Sequence, residues 1–396
     1  MVELLAPAGD LERFKVAIEY GADAVYLGGK QFSLRARASN FDIKDIKEAV
    51  EYAHKRHRKV YVTVNMIPHQ EDFEGLENYL ITLNNIKVDA IICASRAILD
   101  ICKRVAPRME VHISTQQTAT NSFAVKYWQD KKADRIVLAR EIELTDLINI
   151  KKNTTLPIEV FVQGAMCANY SGRCTISNML TNRDANRGGC AQSCRWNYHL
   201  YKKEKVLDKN DYLLSFGSKD MNASDYVEQL LKIGVSSFKI EGRMKTKYYI
   251  ANVVKGYRLL IDEYQKNGSI CSETLSIAKG YIHRAENRAT FAGFYPGIFG
   301  KEGQLYNNDV TVSQSYVANV IEYKDSIATI EVRNYFKKGD TLSILNPDKE
   351  VNFVVEEMID VDNKKVEVAN KPMQVLRIKV PCEVNEFSFI RLFKER

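Results

Sequence analysis

The chain has 396 residues, 57 Lys and Arg against 50 Asp and Glu, a formal net charge of +7, and 45% hydrophobic residues. That balance excludes a disordered chain, and eight cysteines in 396 residues exclude a disulfide-stapled miniprotein. No apolar run reaches the roughly 18 residues of a membrane span, and residues 1–10 (MVELLAPAGD) carry no basic-then-apolar leader, so the expected compartment is the cytoplasm, where thiols stay reduced.

In chain order, short apolar runs rich in β-formers fall at residues 3–6, 24–27, 59–64, 90–93, 111–114, 135–138, 158–162 and 237–240. Segments of helical period lie between them. Residues 10–20 place Leu11, Phe14, Val16, Ala17 and Ile18 near one face and stop at Gly21, a natural helix end. Residues 42–57 and 144–152 repeat that logic. Strands alternating with helices imply βαβ units and a parallel sheet. Eight such strands imply an α/β fold of the (β/α)8, TIM-like barrel type. No G-x-G-x-x-G follows a strand, so a dinucleotide-binding fold is disfavoured.

Two features break the alternation. Residues 164–208 form a Cys-rich insertion after the seventh strand, also rich in Asn, Arg and Gly, and loops of that length inside a domain usually serve function. After about residue 310 the period changes to two, with runs at 328–332, 340–344, 351–355, 365–368, 377–380 and 387–390. Turn residues such as Asn346-Pro347-Asp348 separate them, so a small C-terminal antiparallel β-barrel domain is expected. The expected organisation is a barrel over 1–265, a connecting segment over 266–310 and the β domain over 311–396. Nothing in the pattern sets an oligomeric state.

Four of the cysteines fall within 28 residues, Cys167, Cys174, Cys190 and Cys194, with spacing C-x6-C-x15-C-x3-C. The other four, Cys93, Cys102, Cys271 and Cys382, are scattered and are expected to be buried small hydrophobes. Four thiolates suit either zinc or an iron–sulfur cluster. Zinc sites favour short C-x2-4-C knuckles, which the first pair lacks. Asn197 stands where a C-x3-C-x2-C motif would need its last cysteine, so a radical-SAM site is excluded. Arg173, Arg183, Arg187 and Arg195 interleave with the cysteines, against Asp184 alone. Positive charge of this kind stabilises an anionic thiolate-ligated centre. The competing reading is a metal that only staples the loop.

Active sites of such barrels lie at the C-terminal ends of the strands. The residues there are Pro7 to Gly9, Gly28 and Gly29, Asn65, Ser95, Thr115 to Gln117, Arg140 and Glu141, Gln163 and Gly164, and Glu241 to Arg243. Their glycines would permit close approach by a ligand. Arg35 and Arg37 lie just past the second strand, and Arg243 and Lys245 past the eighth. Cations converging on one face suggest a small anionic carboxylate or phosphate as ligand, although each arginine alone is more simply a solvated or ion-paired side chain. His112, in the fifth strand, is a candidate catalyst or a satisfied core group. Glu241 is a candidate base or the partner of Arg243. The basic run at residues 54–59 would end a helix on the opposite face, as a solvated helix end or an RNA patch.

Residues 159–177 (EVFVQGAMCANYSGRCTIS) resemble the signature of the collagenase-like U-32 peptidase family, and LAPAGD at 5–10, HISTQ at 112–116 and FKIEGR at 238–243 resemble its other blocks. The resemblance spans essentially the whole chain. It implies an oxygen-independent hydroxylation enzyme with a 4Fe–4S cluster. It maps four ligands onto Cys167, Cys174, Cys190 and Cys194. Relatives of this type hydroxylate the wobble uridine of tRNA with prephenate as hydroxyl donor, or act on ribosomal RNA or the ubiquinone ring. A barrel with one added β domain most resembles the transfer-RNA branch. On the hydroxylase hypothesis Arg35, Arg37 and Arg243 would hold the donor's carboxylates by bidentate bonds, and Tyr170 or Trp196 would stack on the base. The family name also implies a peptidase, yet no H-E-x-x-H or G-x-S-x-G is present, and a thiol paired with His112 or His199 is the route left open.

Overall fold

In the computed structural model, which describes residues 2–34, 40–206, 214–285, 288–298, 300, 303 and 315–393, eight parallel strands close into a barrel. They are β1 Glu3–Pro7, β2 Ala24–Gly28, β3 Lys59–Val64, β4 Ala90–Cys93, β5 Glu110–Ile113, β6 Arg135–Val137, β7 Ile158–Ala165 and β8 Ser237–Ile240. Neighbours pair in chain order. β8 closes the ring, with Ser237 opposite Glu159 of β7 and Glu3 of β1. Each expected strand is present, and β7 runs on to Ala165 because Gln163, Gly164 and Ala165 also pair with a short antiparallel strand, Asp220–Asn222.

Helices α1 Leu11–Glu19, α2 Ile43–His54, α3 Leu76–Asn85, α4 Arg96–Val105, α5 Ser122–Asp130 and α6 Leu144–Asn153 follow the first six strands. The starts of α1 and α2 are capped by side chains. The Asp10 carboxylate accepts from the Arg13 N–H at 2.8 Å, and Asp42 forms a reciprocal capping box with Asp45. α1 buries Phe14, Val16, Ala17 and Ile18 against the barrel, and α2 stops at His54 rather than at residue 57. A short helix, α7 Ile176–Thr181, lies in the cysteine loop; α8 Val227–Ile233 precedes β8, and α9 Lys247–Asn267 follows it. Within the connecting segment, α10 Ser272–Arg284 packs along α9, and Thr290–Phe291 pairs with Asp220 and Met221. Among the described residues no helix is long and apolar enough to cross a membrane.

The barrel interior carries buried charge. Glu159 on β7 has no exposed side-chain surface and meets Lys239 of β8 at 2.6 Å and Arg135 of β6 at 3.2 Å. Arg135 also reaches Glu3 of β1 at 2.5 Å, and Tyr61 of β3 donates to Glu3 at 2.6 Å. Strands β6 and β1 are not neighbours, so these bonds cross the lumen. Burial pushes the Glu159 carboxyl up, but Lys239, Arg135 and His112 outweigh it and hold it at about 2.

The C-terminal domain is one antiparallel sheet curled around its own core. Its strands are β9 Tyr316–Lys324, β10 Ile327–Val332, β11 Thr341–Leu345, β12 Glu350–Val354, β13 Met358–Asp360, β14 Val375–Lys379 and β15 Phe389–Leu392. They run in the order β12-β11-β15-β9-β10-β14-β13 around Val317, Ile330, Leu342, Ile344, Leu376 and Ile390. The pattern of alternation misses β9, the longest strand, because bulges near Val317 and Ile321 shift its register against both neighbours and break the period of two. Residues 365–368, expected as a strand, give a single bridge from Lys365 to Ile359 and the short pairing of Val368–Ala369 with Phe336–Lys337. The sheet docks on α1, α9 and α10. The Tyr20 hydroxyl donates to the carbonyls of Leu345 and Phe387 at 3.0 and 2.7 Å. Tyr248 stacks on Tyr316 at 4.6 Å, and Arg284 pairs with Glu350 at 2.8 Å.

Replacing Glu159 with Ala leaves buried Lys239 without its carboxylate and Arg135 with Glu3 alone, so unfolding in denaturant should show a loss of about 3–5 kcal/mol. The pH dependence follows the depressed carboxyl. Its contribution is complete above the unfolded value of roughly 4.3 and fades as pH falls through about 2. A variant with the wild-type midpoint would show that the lumen charges contribute nothing.

Candidate functional site

β7 ends at Ala165, so the chain enters the cysteine loop from the C-terminal face of the barrel. The loop then folds back across that face. Arg187 pairs with Asp72, beyond β3, at 2.8 Å, and the Ile67 N–H donates to the Asn186 carbonyl at 3.0 Å. The Thr118 hydroxyl, beyond β5, donates to the Ser171 carbonyl at 2.5 Å, and Ser171 meets Glu141, beyond β6, at 3.1 Å. Gly172 is the tightest point. Its φ is +75°, and a Cβ there would collide with the Gln116 carbonyl oxygen.

Among the described residues none of the eight cysteines is in a disulfide. Cys167 and Cys190 are exposed, whereas Cys174 and Cys194 are half-buried. Burial pushes the Cys194 thiol up, the Arg195 charge opposes it, and Cys167, Cys190 and Cys174 push it further. The other three thiols therefore lie within electrostatic reach of Cys194. Side chains fix the backbone around them. Asn186 donates to the Cys174 carbonyl at 3.1 Å and Arg183 to the Cys190 carbonyl at 3.4 Å. Among the described residues no three His, Cys, Asp or Glu side chains close on a point that could hold a single metal ion. A cubane cluster asks something different, one thiolate on each of its separate iron atoms, and an all-cysteine donor set suits it.

The structure separates the other sequence candidates. Arg35 and Arg37 lie outside the described residues. Arg243 is buried: its guanidinium donates to the hydroxyls of Ser33 and Thr63 at 3.2 Å each, the Leu34 carbonyl at 2.9 Å and the Asn40 side chain at 3.3 Å. Gly28 makes room for it, since a Cβ there would overlap that guanidinium. At this strand end the close approach is made by the protein's own arginine. Glu241 accepts from the Tyr26 hydroxyl at 2.9 Å in the barrel rim. His112 is 0% exposed and meets Glu110 at 3.0 Å and the Tyr61 ring edge-on at 4.7 Å. Burial holds His112 below the usual imidazole range, against the bond to Glu110.

Four charged groups, of which the sequence pattern missed Asp220 and Arg288, assemble beside the loop. Asp220 faces Lys245 at 3.4 Å, Arg288 at 3.5 Å and Arg195 at 3.8 Å. Arg195 also donates to the Met166 carbonyl at 3.3 Å, next to Cys167. Burial pushes the Lys245 ammonium down; Asp220 opposes this, and Arg288 and Arg195 add to it. Arg195 and Lys245 were visible in sequence, but nothing joined them to Asp220 or Arg288, which come from a hidden short strand and from the connecting segment.

Two readings of the scattered residues change. Cys93 and Cys102 are buried, and burial raises both thiols to about 12. Cys271, expected inside, is exposed and caps α10, while Cys382 is half-buried. In the basic run, Arg56 pairs with Glu19 at 2.8 Å and Arg58 with Asp23 at 2.6 Å, and His54 is hydrogen-bonded to Asp89 at 3.0 Å.

The profile described as "Peptidase family U32" matches residues 9–304, and "Peptidase family U32 C-terminal domain" matches residues 312–391. The "tRNA hydroxylation protein P1" of Bacillus subtilis is 39% identical over 402 residues, covering 98% of this chain and 94% of its own. The "23S rRNA 5-hydroxycytidine C2501 synthase" of Escherichia coli is 40% identical over 287 residues, covering 72% of this chain and 42% of its own. A "Collagenase" of Porphyromonas gingivalis is 30% identical over 400 residues, covering 96% of this chain and 94% of its own.

The Gly172 contact generates a test of the loop's seat. Gly172→Ala should introduce about 2 kcal/mol of strain, roughly a 30-fold shift in local opening. Limited proteolysis read by mass spectrometry should then cut the cysteine loop at least tenfold faster while the barrel stays resistant. Unchanged cleavage would place the anchor elsewhere.

Proposed function

The chain belongs to the peptidase family U32, and from that premise we propose that it is an RNA-modifying hydroxylase, a 4Fe–4S enzyme that forms 5-hydroxyuridine at the wobble position of tRNA with prephenate as hydroxyl donor. The observation that carries this reading is the loop of four cysteines that β7 delivers across the barrel's own mouth. Full-length similarity to a protein named for tRNA hydroxylation supports the substrate class, and the relative named as a 5-hydroxycytidine synthase supports the kind of reaction.

Cys167, Cys174, Cys190 and Cys194 would hold the cluster. When bound, it supplies electron transfer and Lewis acidity beside the target base. The chain's own residues do the rest. Tyr170 and Trp196 flank the cysteines at 60% and 45% exposure, available to stack on an unpaired base. An anticodon loop already presents such bases, so little unstacking is required. Replacing C5–H by C5–OH is a two-electron oxidation, so the hydroxyl donor is also the oxidant. Prephenate brings that hydroxyl together with two carboxylates, which the cations of the mouth would balance. Arg243 acts from behind, holding Ser33, Leu34 and Asn40 on either side of the segment that carries Arg35 and Arg37. His112, sealed in the lumen, serves the barrel.

The same burial removes one of the two imidazole routes to a peptidase, that through His112. A cysteine protease needs an imidazole beside its thiol, and His112 is enclosed and bonded to Glu110.

Nucleoside analysis of tRNA from a deletion strain tests the proposal. Loss of 5-hydroxyuridine and its derivatives, restored by the wild-type gene but not by Cys174→Ser, is expected. Normal levels in a strain with no second copy of the gene would overturn it.

A further inference from the structure

We propose that Arg195, Lys245 and Arg288, gathered around Asp220, form a binding site for a small dicarboxylate at the edge of the cysteine loop. The four groups come from four stretches of chain. Arg195 follows Cys194, Asp220 sits on the short strand paired with the end of β7, Lys245 lies just past β8, and Arg288 stands two residues before the Thr290–Phe291 strand. Their convergence is therefore built by the fold and is not an accident of one loop.

Charge is the first argument. Lys245 makes the hydrogen bond to Asp220 Oδ2, at 3.4 Å. Counting that pair as balanced, two guanidiniums still share the same carboxylate, at 3.5 and 3.8 Å. Both distances exceed hydrogen-bond length, and Asp220 Oδ1 accepts no hydrogen bond. An arginine cannot shed its proton to relieve burial. The arrangement therefore favours an added anion, and a guanidinium presents paired N–H groups that match a carboxylate edge.

Enclosure is the second argument, and it selects the size of the ligand. The side chains of Arg195, Lys245 and Arg288 are 15, 20 and 27% exposed, and that of Asp220 is 7% exposed. Backbone phosphates of a polynucleotide meet cations on an open surface. Cations enclosed to this degree suit a small carboxylate-bearing molecule better than a polymer, with one carboxylate for Arg195 and one for Arg288. Location is the third argument. Arg195 donates to the Met166 carbonyl beside Cys167, so a ligand here lies against the cysteine loop. That the ligand is the hydroxyl donor rests on the hydroxylase reading; that the site takes a small dianion does not.

The competing role is an ion-pair staple tying the loop to the barrel, and the two roles respond oppositely to one change. Asp220 repels a bound anion but is the hub of a staple. Titration calorimetry on the full chain, with prephenate, succinate and inorganic phosphate as probes, separates them. The dicarboxylates should bind saturably and more tightly than phosphate. Arg288→Ala should weaken them at least tenfold, Arg288→Lys should recover part of that loss, and Asp220→Asn should tighten them severalfold. The site is overturned if the wild type binds neither dicarboxylate, if phosphate binds equally well, or if Asp220→Asn weakens binding in step with a lower Tm. Nucleosides from cells carrying Arg288→Ala keep the two readings apart. Lost binding with unchanged 5-hydroxyuridine keeps the site and overturns its link to hydroxylation. Unchanged binding with lost 5-hydroxyuridine overturns the site and leaves the hydroxylase reading standing.

Discussion

Glu159 is sealed from water, and the seam of the barrel is organised around it. Its carboxylate bridges Arg135 on β6 and Lys239 on β8, and Arg135 reaches on to Glu3 on β1. Of these strands, β7, β8 and β1 are the ones that must meet for the ring to close. A buried carboxylate flanked by two cations tolerates one register only, because a slip by a single residue would turn all of these charges to the opposite face of their strands. The functional elements leave from the far ends of the same strands. β7 delivers the cysteine loop, and β8 delivers Glu241, Arg243 and Lys245. The interior charge therefore sets where the mouth residues stand, although none of it reaches the mouth.

The mouth is layered in consequence. Arg243 lies deepest and is given over to protein oxygens, so it shapes the rim. Above it the cysteine loop is pinned at three points, through Arg187 to Asp72, Gly172 to Gln116 and Ser171 to Glu141. The loop's exposed aromatic and cationic residues sit on its outer side, and the Asp220 cluster lies where the loop meets the end of β8. On the proposed reading, a macromolecule would meet the outer side of the loop and a small anion the Asp220 cluster at its edge. The C-terminal sheet is tied to α1, α9 and α10, through Tyr20, Tyr248 and Arg284.

The barrel was legible because parallel strands buried on both faces read as short apolar runs, and because Asp10 and Asp42 announce their helices. The four cysteines were legible because they crowd a polar loop. What escaped the sequence depends on pairing over long distances. Asp220 and Arg288 carry no local signal, since their meaning comes from a ladder joining residues 165, 220 and 290. β9 was hidden by its bulges. Cys271 was misread because a cysteine can cap a helix as well as fill a core, and only exposure separates the two. Arg243 carries the same lesson. Its position at a strand end suggested a ligand, and only the fold supplies the neighbouring hydroxyls of Ser33 and Thr63.

The central claim is that the loop across the mouth is a reaction centre built on four thiolates. Its most direct test is the iron and acid-labile sulfide content of the full chain purified without oxygen, read beside its absorption spectrum. The account predicts about four irons and four sulfides per chain with a broad visible band, all lost when Cys167, Cys174, Cys190 and Cys194 are changed together to Ser. One zinc per chain with no sulfide, or a thiol-only protein with full hydroxylation activity, would contradict it.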